Sequence, residues 1–253
     1  MISFFRKKIF LFHILFFLIL LSGFIWPSVY YWSLLVFNLL FIVFVLIFNK
    51  ILLDKKRLIF FVLPWLFINS LSLYSSLLIN KILIIILLFL GLIISYYYFA
   101  EFRQRLNRDF NFNFGNFSIL SDIEGLSLVF LGSSFIYGLV YFLSVKNWIL
   151  LLTILTILFF TIRQNIFIIK KQVNETLLAS FLFLLALIPI VGALFFLPFN
   201  FNILGLILSL CYYGGLNFVR FYLSDSLTNK KIKYNLIFII ASLIIVFLTI
   251  SWR

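Results

Sequence analysis

Residues 82–100, ILIIILLFLGLIISYYYFA, form an uncharged run, and residues 101–125, EFRQRLNRDFNFNFGNFSILSDIEG, break it with charges and amides. At about 1.5 Å of rise per residue, the first stretch makes a helix of roughly 28 Å. That nearly matches the roughly 30 Å hydrocarbon core of a bilayer. A transmembrane helix ending at a polar surface is therefore the reading from which the rest of the chain is built.

The polar stretch holds four of the seven acidic residues (Glu101, Asp109, Asp122, Glu124) and the arginines Arg103, Arg105 and Arg108. Glu101 with Arg105, and Arg105 with Asp109, are i,i+4 pairs, which predicts that the helix continues past the membrane. Phe and Asn then alternate from Phe110 to Phe114, and Gly115-Asn116-Phe117 extends the Phe/Asn run. A period of two predicts an extended segment over 110–117, with its rings dipped into the headgroup layer. Ser121-Asp122-Ile123-Glu124 matches a capping box, with Ser121 at the N-cap and Glu124 at N3 of a following helix. The stretch thus reads as one long cytoplasmic loop over 101–122.

Outward from this loop, apolar runs of spanning length recur. Nine are predicted: Ile9–Trp26, Val29–Phe48, Leu58–Ile79, Ile82–Ala100, Ile123–Ser144, Trp148–Ile169, Thr176–Leu197, Ile203–Leu223 and Tyr234–Trp252. Four short turns, at 26–28, 80–81, 145–147 and 198–202, predict antiparallel hairpins. With the N-terminus in the cytoplasm, the inner segments collect nearly all the lysine and arginine, including Arg6, Lys55, Arg103, Arg163 and Lys231. Only Lys81, Lys146 and Arg253 fall outside. That asymmetry predicts nine crossings, N-in and C-out. The first helix follows Arg6-Lys7-Lys8 as a signal peptide would, but it is too long for one and lacks a small-residue cleavage site. The fold class is all-α and polytopic, a single transmembrane domain over 1–253.

Composition agrees. The 253 residues are 65% hydrophobic and 11% charged, against about 45–50% and about 25% in globular chains. A multi-pass protein of a cell membrane is expected, the inner or plasma membrane of a bacterium. One cysteine, Cys211, and one histidine, His13, leave no set of thiols or imidazoles for a structural zinc site. The net charge of +13 lies in clusters between spans and not on one basic face, which points to topology and away from nucleic acid. The 37 phenylalanines read first as the product of AT-rich codons.

Arg163 is the charge that intrudes furthest into a predicted span, and Arg220 follows Asn217 on one helical face. Arg103, Arg105, Arg163 and Arg220 are candidate contacts to a lipid phosphate or a partner. Asn38, Asn69 and Asn217 are candidate intramembrane polar contacts, with Asn38 and Asn69 also suited to bond between helices. No acid falls in the middle of a predicted span. Pro64, Pro189 with Gly192, Gly214-Gly215, and Ser134 with Gly138 read as packing or kink positions.

No catalytic or metal-binding constellation emerges, so neither an enzymatic activity nor a cofactor is expected. The leading expectation is a non-enzymatic accessory, scaffold or lipid-interacting component. Its partners would be anionic lipids on the cytoplasmic side and a protein at the 101–122 loop. A transporter or flippase of a lipid-like or small neutral solute is the second reading, weakened by the missing intramembrane acid. A transferase acting on a polyprenyl or phospholipid substrate is the third, with only Asp54 and Glu175 available to hold a metal.

Overall fold

The computed structural model describes residues 2–52, 59–106, 115–143, 145–169, 173–224 and 226–249. Every regular element among them is helical: α1 (Ile2–Ile25), α2 (Tyr30–Leu52), α3 (Ile59–Ser75), α4 (Lys81–Leu106), α5 (Gly115–Leu143), α6 (Asn147–Ile169), α7 (Val173–Leu194), α8 (Phe201–Leu223) and α9 (Asn229–Thr249). A single 3-10 turn, Pro27–Val29, links α1 to α2. Among the described residues, seven helices are long and apolar enough to cross a membrane, and Ile9–Ile25 and Phe60–Ser75 are shorter apolar segments. Their outer faces expose leucine, isoleucine and phenylalanine on nearly every turn, among them Leu39, Ile86, Leu182 and Ile245. Such faces need lipid as their solvent. This is a helical membrane protein.

The chain divides into two compact units, Met1–Glu124 and Gly125–Arg253. The division falls inside α5. In the first unit α1 packs on α2 and α4, and α3 packs on α4. Phenylalanine fills the seams: Phe16, Phe37, Phe44, Phe61, Phe67, Phe99 and Phe117 are all buried. Edge-to-face pairs recur there, such as Phe16 with Phe37 at 5.1 Å and Phe44 with Phe99 at 5.2 Å between centroids. Ring quadrupoles favour this geometry, so much of the phenylalanine is packing material.

A proline explains one long-range bond in this unit. Pro64 lies inside α3 and has no N–H for the carbonyl four residues earlier, that of Phe60. The Tyr98 hydroxyl of α4 donates to that same Phe60 carbonyl at 3.0 Å. Tyr98 is fully buried and so supplies from the neighbouring helix the hydrogen bond that proline removes from α3.

In the second unit α6 packs on α7, α7 on α8, and α8 on α9. The α5–α8 crossing is close, because a Cβ on Gly205 would meet Ser134 Oγ and come within 3.0 Å of the Phe130 carbonyl oxygen. Glycine is required there by a backbone neighbour that cannot step aside. The partner of Ser134 is thus Gly205 on α8, a small-residue contact of the kind that lets membrane helices approach. The adjacent glycines of α8 serve two neighbours. Gly214 faces Ile239 of α9, and Gly215 faces the Phe183 ring of α7.

Residues 101–106 are helical as the end of α4, as the i,i+4 pairs predict. Two other expectations about 101–125 are corrected, because 115–122 are helical as the start of α5. Phe117 is not on an extended surface strand. It is buried and helical, with its ring 5.0 Å from Tyr98 and 6.0 Å from Phe102. Phe110 to Phe114 lie outside the described residues. Ser121 is not an N-cap, since α5 begins six residues before it, at Gly115. The earlier start of α5 places Glu124 in the body of a helix.

Candidate functional site

Helix α5 is a continuous α-helix of 29 residues, and its candidate span runs Phe117–Leu143. Glu124 therefore lies inside that span, about 10 Å along the axis from Phe117 at 1.5 Å per residue. The sequence reading places it at a cap facing water. Its relative exposure is 0%, and neither carboxyl oxygen has a hydrogen-bond partner among the described residues. Ionisable side chains within spans are rare and costly. An unaccompanied buried carboxylate is strongly disfavoured, and a proton or a bound cation would relieve the cost. Glu124 lies near the start of the predicted span Ile123–Ser144 and further inside the candidate span Phe117–Leu143, short of its middle.

Glu124 is the last residue of the first unit, and Gly125, next in α5, opens the second. At Gly125 the backbone meets a polar core. A Cβ there would lie 2.7 Å from Asn165 Nδ2, 3.1 Å from Thr161 Cγ2 and 3.4 Å from Tyr212 Oη. The Asn165 amide donates to the Tyr212 hydroxyl at 2.8 Å, joining α6 to α8. Thr161, Gln164, Asn165, Thr176 and Ser180 are each no more than 2% exposed. Thr161 and Ser180 send their hydroxyls to their own helices, to the carbonyls of Ile157 and Thr176. Serine and threonine in apolar surroundings commonly satisfy themselves this way. The Asn165–Tyr212 pair is a cross-helix contact, and only a residue without a side chain fits beside it.

The residues singled out by sequence fall in several places. Asn38 of α2 and Asn69 of α3 do meet, through Asn38 Nδ2 to Asn69 Oδ1 at 3.0 Å and Asn69 Nδ2 to Asn38 Oδ1 at 3.1 Å. Trp65 adds its indole N–H to Asn38 Oδ1 at 2.6 Å. Each amide also donates to a carbonyl of its own helix, Leu34 and Trp65 respectively. This is a closed interhelical lock with little capacity left for a solute.

Arg163 is half-buried in α6, immediately before the buried Gln164 and Asn165. Arg220 is half-buried in the last turn of α8, where its carbonyl accepts from the Ser224 hydroxyl at 2.8 Å. Asn217 lies one turn before it and lines a pocket shared with α9. Arg103 and Arg105 are on the final turns of α4, and their side chains lie outside the described residues, as do those of Asp54 and Glu175.

Sequence reasoning missed Glu124, Asn165 and Tyr212. Its one usable signal for the polar core was the run Arg163-Gln164-Asn165, polar residues together in an otherwise apolar helix. No family model, curated protein or solved structure matches this chain.

Proposed function

We propose that the chain is a multi-pass membrane carrier. It would couple the movement of a small neutral or lipid-like solute to a monovalent cation, proton or sodium, taken up at Glu124. In this reading the polypeptide crosses the bilayer nine times, N-in and C-out. The observation that carries the proposal is a fully buried carboxyl without a hydrogen-bond partner among the described residues, inside a candidate span. Ionisable groups at depth are costly, and carriers retain them because binding and release of a cation changes the charge of the span. An accessory or scaffold role gives such a group nothing to do.

N,N′-dicyclohexylcarbodiimide, an apolar reagent for protonated carboxyls, tests the role of Glu124 in the purified protein. Peptide mass spectrometry should find the adduct at Glu124 and lose it in Glu124→Gln. Slower labelling in sodium chloride than in choline chloride identifies sodium. Dependence on pH alone identifies the proton. A Glu124 that stays unlabelled at every pH, while the reagent modifies other carboxyls of the same sample, contradicts the reading.

A further inference from the structure

Helices α8 and α9 meet at Gly214, where the buried Asn235 amide donates to the Gly214 carbonyl at 2.9 Å and Ile239 packs against the glycine. On the side of this junction towards the start of α9, the helices part around a pocket of about 260 Å³. Tyr213, Asn217 and Phe221 of α8 line it, with Lys231, Tyr234 and Asn235 of α9. Among the described residues, the wall therefore holds one ammonium, two amides and two phenols, and no carboxylate.

The positions of the lysines are electrostatically unfavourable in isolation. α9 starts at Asn229 with no acidic residue in its first turn. Thr228 precedes it, and its carbonyl and hydroxyl receive the N–H groups of Ile232 at 3.0 Å and Lys231 at 3.4 Å. A helix N-terminus already carries partial positive charge, and natural helices favour acids there. This one has Lys230, Lys231 and Lys233. Lys231 holds its ammonium 5.0 Å from the Phe221 ring centroid and Lys230 lies 5.9 Å from that of Tyr234, so ring faces offset part of the charge. Asp225 precedes the helix in the chain and lies outside the described residues. An anion in the pocket would relieve the accumulated charge and accept from Lys231, Asn217 and the two phenols.

We infer that the pocket between α8 and α9 binds the phosphate of an anionic phospholipid. Lipid is favoured over a free anion because of the residues beyond Asn235 on α9. Leu236, Ile237, Phe238 and Ile240 are all exposed, so apolar surface runs on from the pocket along the helix. A phosphate at Lys231 lays its acyl chains on that surface, with the headgroup at the level of the lysines where cytoplasmic-leaflet anionic lipids gather. The site goes beyond the carrier reading and does not depend on Glu124.

Native mass spectrometry of the full chain in a mild detergent, titrated with phosphatidylglycerol or phosphatidylcholine, is the test. The wild type should retain phosphatidylglycerol in preference to phosphatidylcholine. Loss of one lysine near an anionic headgroup is worth about 1 kcal/mol, or about fivefold in affinity. Lys231→Gln should weaken retention by that factor, and Lys231→Gln with Asn217→Leu by more. Lys231→Arg should preserve it, and Lys146→Gln should change nothing. Glu124→Gln should also bind as the wild type does, which separates failure of this site from failure of the carrier reading. Equal retention of the two lipids overturns the proposal, and so does full retention by the Lys231→Gln/Asn217→Leu variant. Displacement of the lipid by millimolar inorganic phosphate overturns the choice of a lipid. Should the double variant fail to give a monodisperse helical protein, Lys231→Gln against Lys231→Arg decides the matter.

Discussion

Tyr98→Phe removes one oxygen atom from the protein, and its consequence depends on a proline in another helix. The Phe60 carbonyl lacks its usual intrahelical donor because residue 64 is proline, and it accepts from Tyr98 at 3.0 Å. Interhelical hydrogen bonds inside membranes average about 0.6 kcal/mol, with a maximum near 1.7. Removing the donor from a partly buried acceptor costs about 1–3 kcal/mol. Tyr98 is 0% exposed, and a loss of about 1.5 kcal/mol is expected. Pro64→Ala restores an N–H at position 64, and in that background Tyr98→Phe should cost less than about 0.5 kcal/mol, because the carbonyl keeps its own helical bond. The four proteins form a double-mutant cycle, read by reversible unfolding in mixed micelles of mild detergent and dodecyl sulfate. The expected coupling is about 1 kcal/mol. If Tyr98→Phe costs the same with Pro64 present or absent, the hydroxyl does not serve the carbonyl that proline leaves open.

Asn38→Leu should destabilise the first unit by about 1–2 kcal/mol, since it breaks both amide bonds to Asn69 and the one from Trp65. The double variant with Asn69→Leu should lose less than the sum of the two, since no amide is left unpaired; the same micelle assay checks this. Gly205→Val should cost about 1–3 kcal/mol through overpacking at the α5–α8 crossing, whereas Gly192→Ala, where a Cβ has nothing within 4 Å, should be nearly neutral. Asn165→Leu should lower thermal stability by removing the bond that joins α6 to the Tyr212 hydroxyl of α8, read as a lower midpoint in a thermal melt.

Helices α1 to α4 and α6 to α9 were legible as apolar runs because a bilayer imposes one length and one backbone solution on any segment that crosses it. Short turns such as Val145-Lys146, and the lysine and arginine clusters, marked their ends. The start of α5 was not legible. Gly115, Asn116, Ser118 and Ser121 are weak helix formers, and Ser121 to Glu124 match a capping box at the expected spacing. Local preference pointed to a loop and a cap. Burial decided otherwise, because Phe117 packs against Tyr98 and Phe102 and commits the backbone to helix several residues early. That earlier start moves Glu124 from the first turn of the predicted span Ile123–Ser144 to about two turns inside the candidate span. The Tyr212 contact was hidden for a different reason: a tyrosine in an apolar helix carries no sequence mark telling packing from pairing. Asn38 and Asn69 were legible because an amide in hydrocarbon always needs a partner.

The proposed carrier role requires Glu124 to exchange a cation with water from within the membrane. Solid-supported-membrane electrometry on reconstituted full-length protein tests it without knowledge of the solute. A step in pH, and separately a step in sodium at constant ionic strength, should each be applied to wild type and to Glu124→Gln. One of the two steps should drive a transient charge displacement in the wild type that Glu124→Gln abolishes while remaining folded and reconstituted. Transients of equal size in both proteins, or none in the wild type for either cation, would contradict the account.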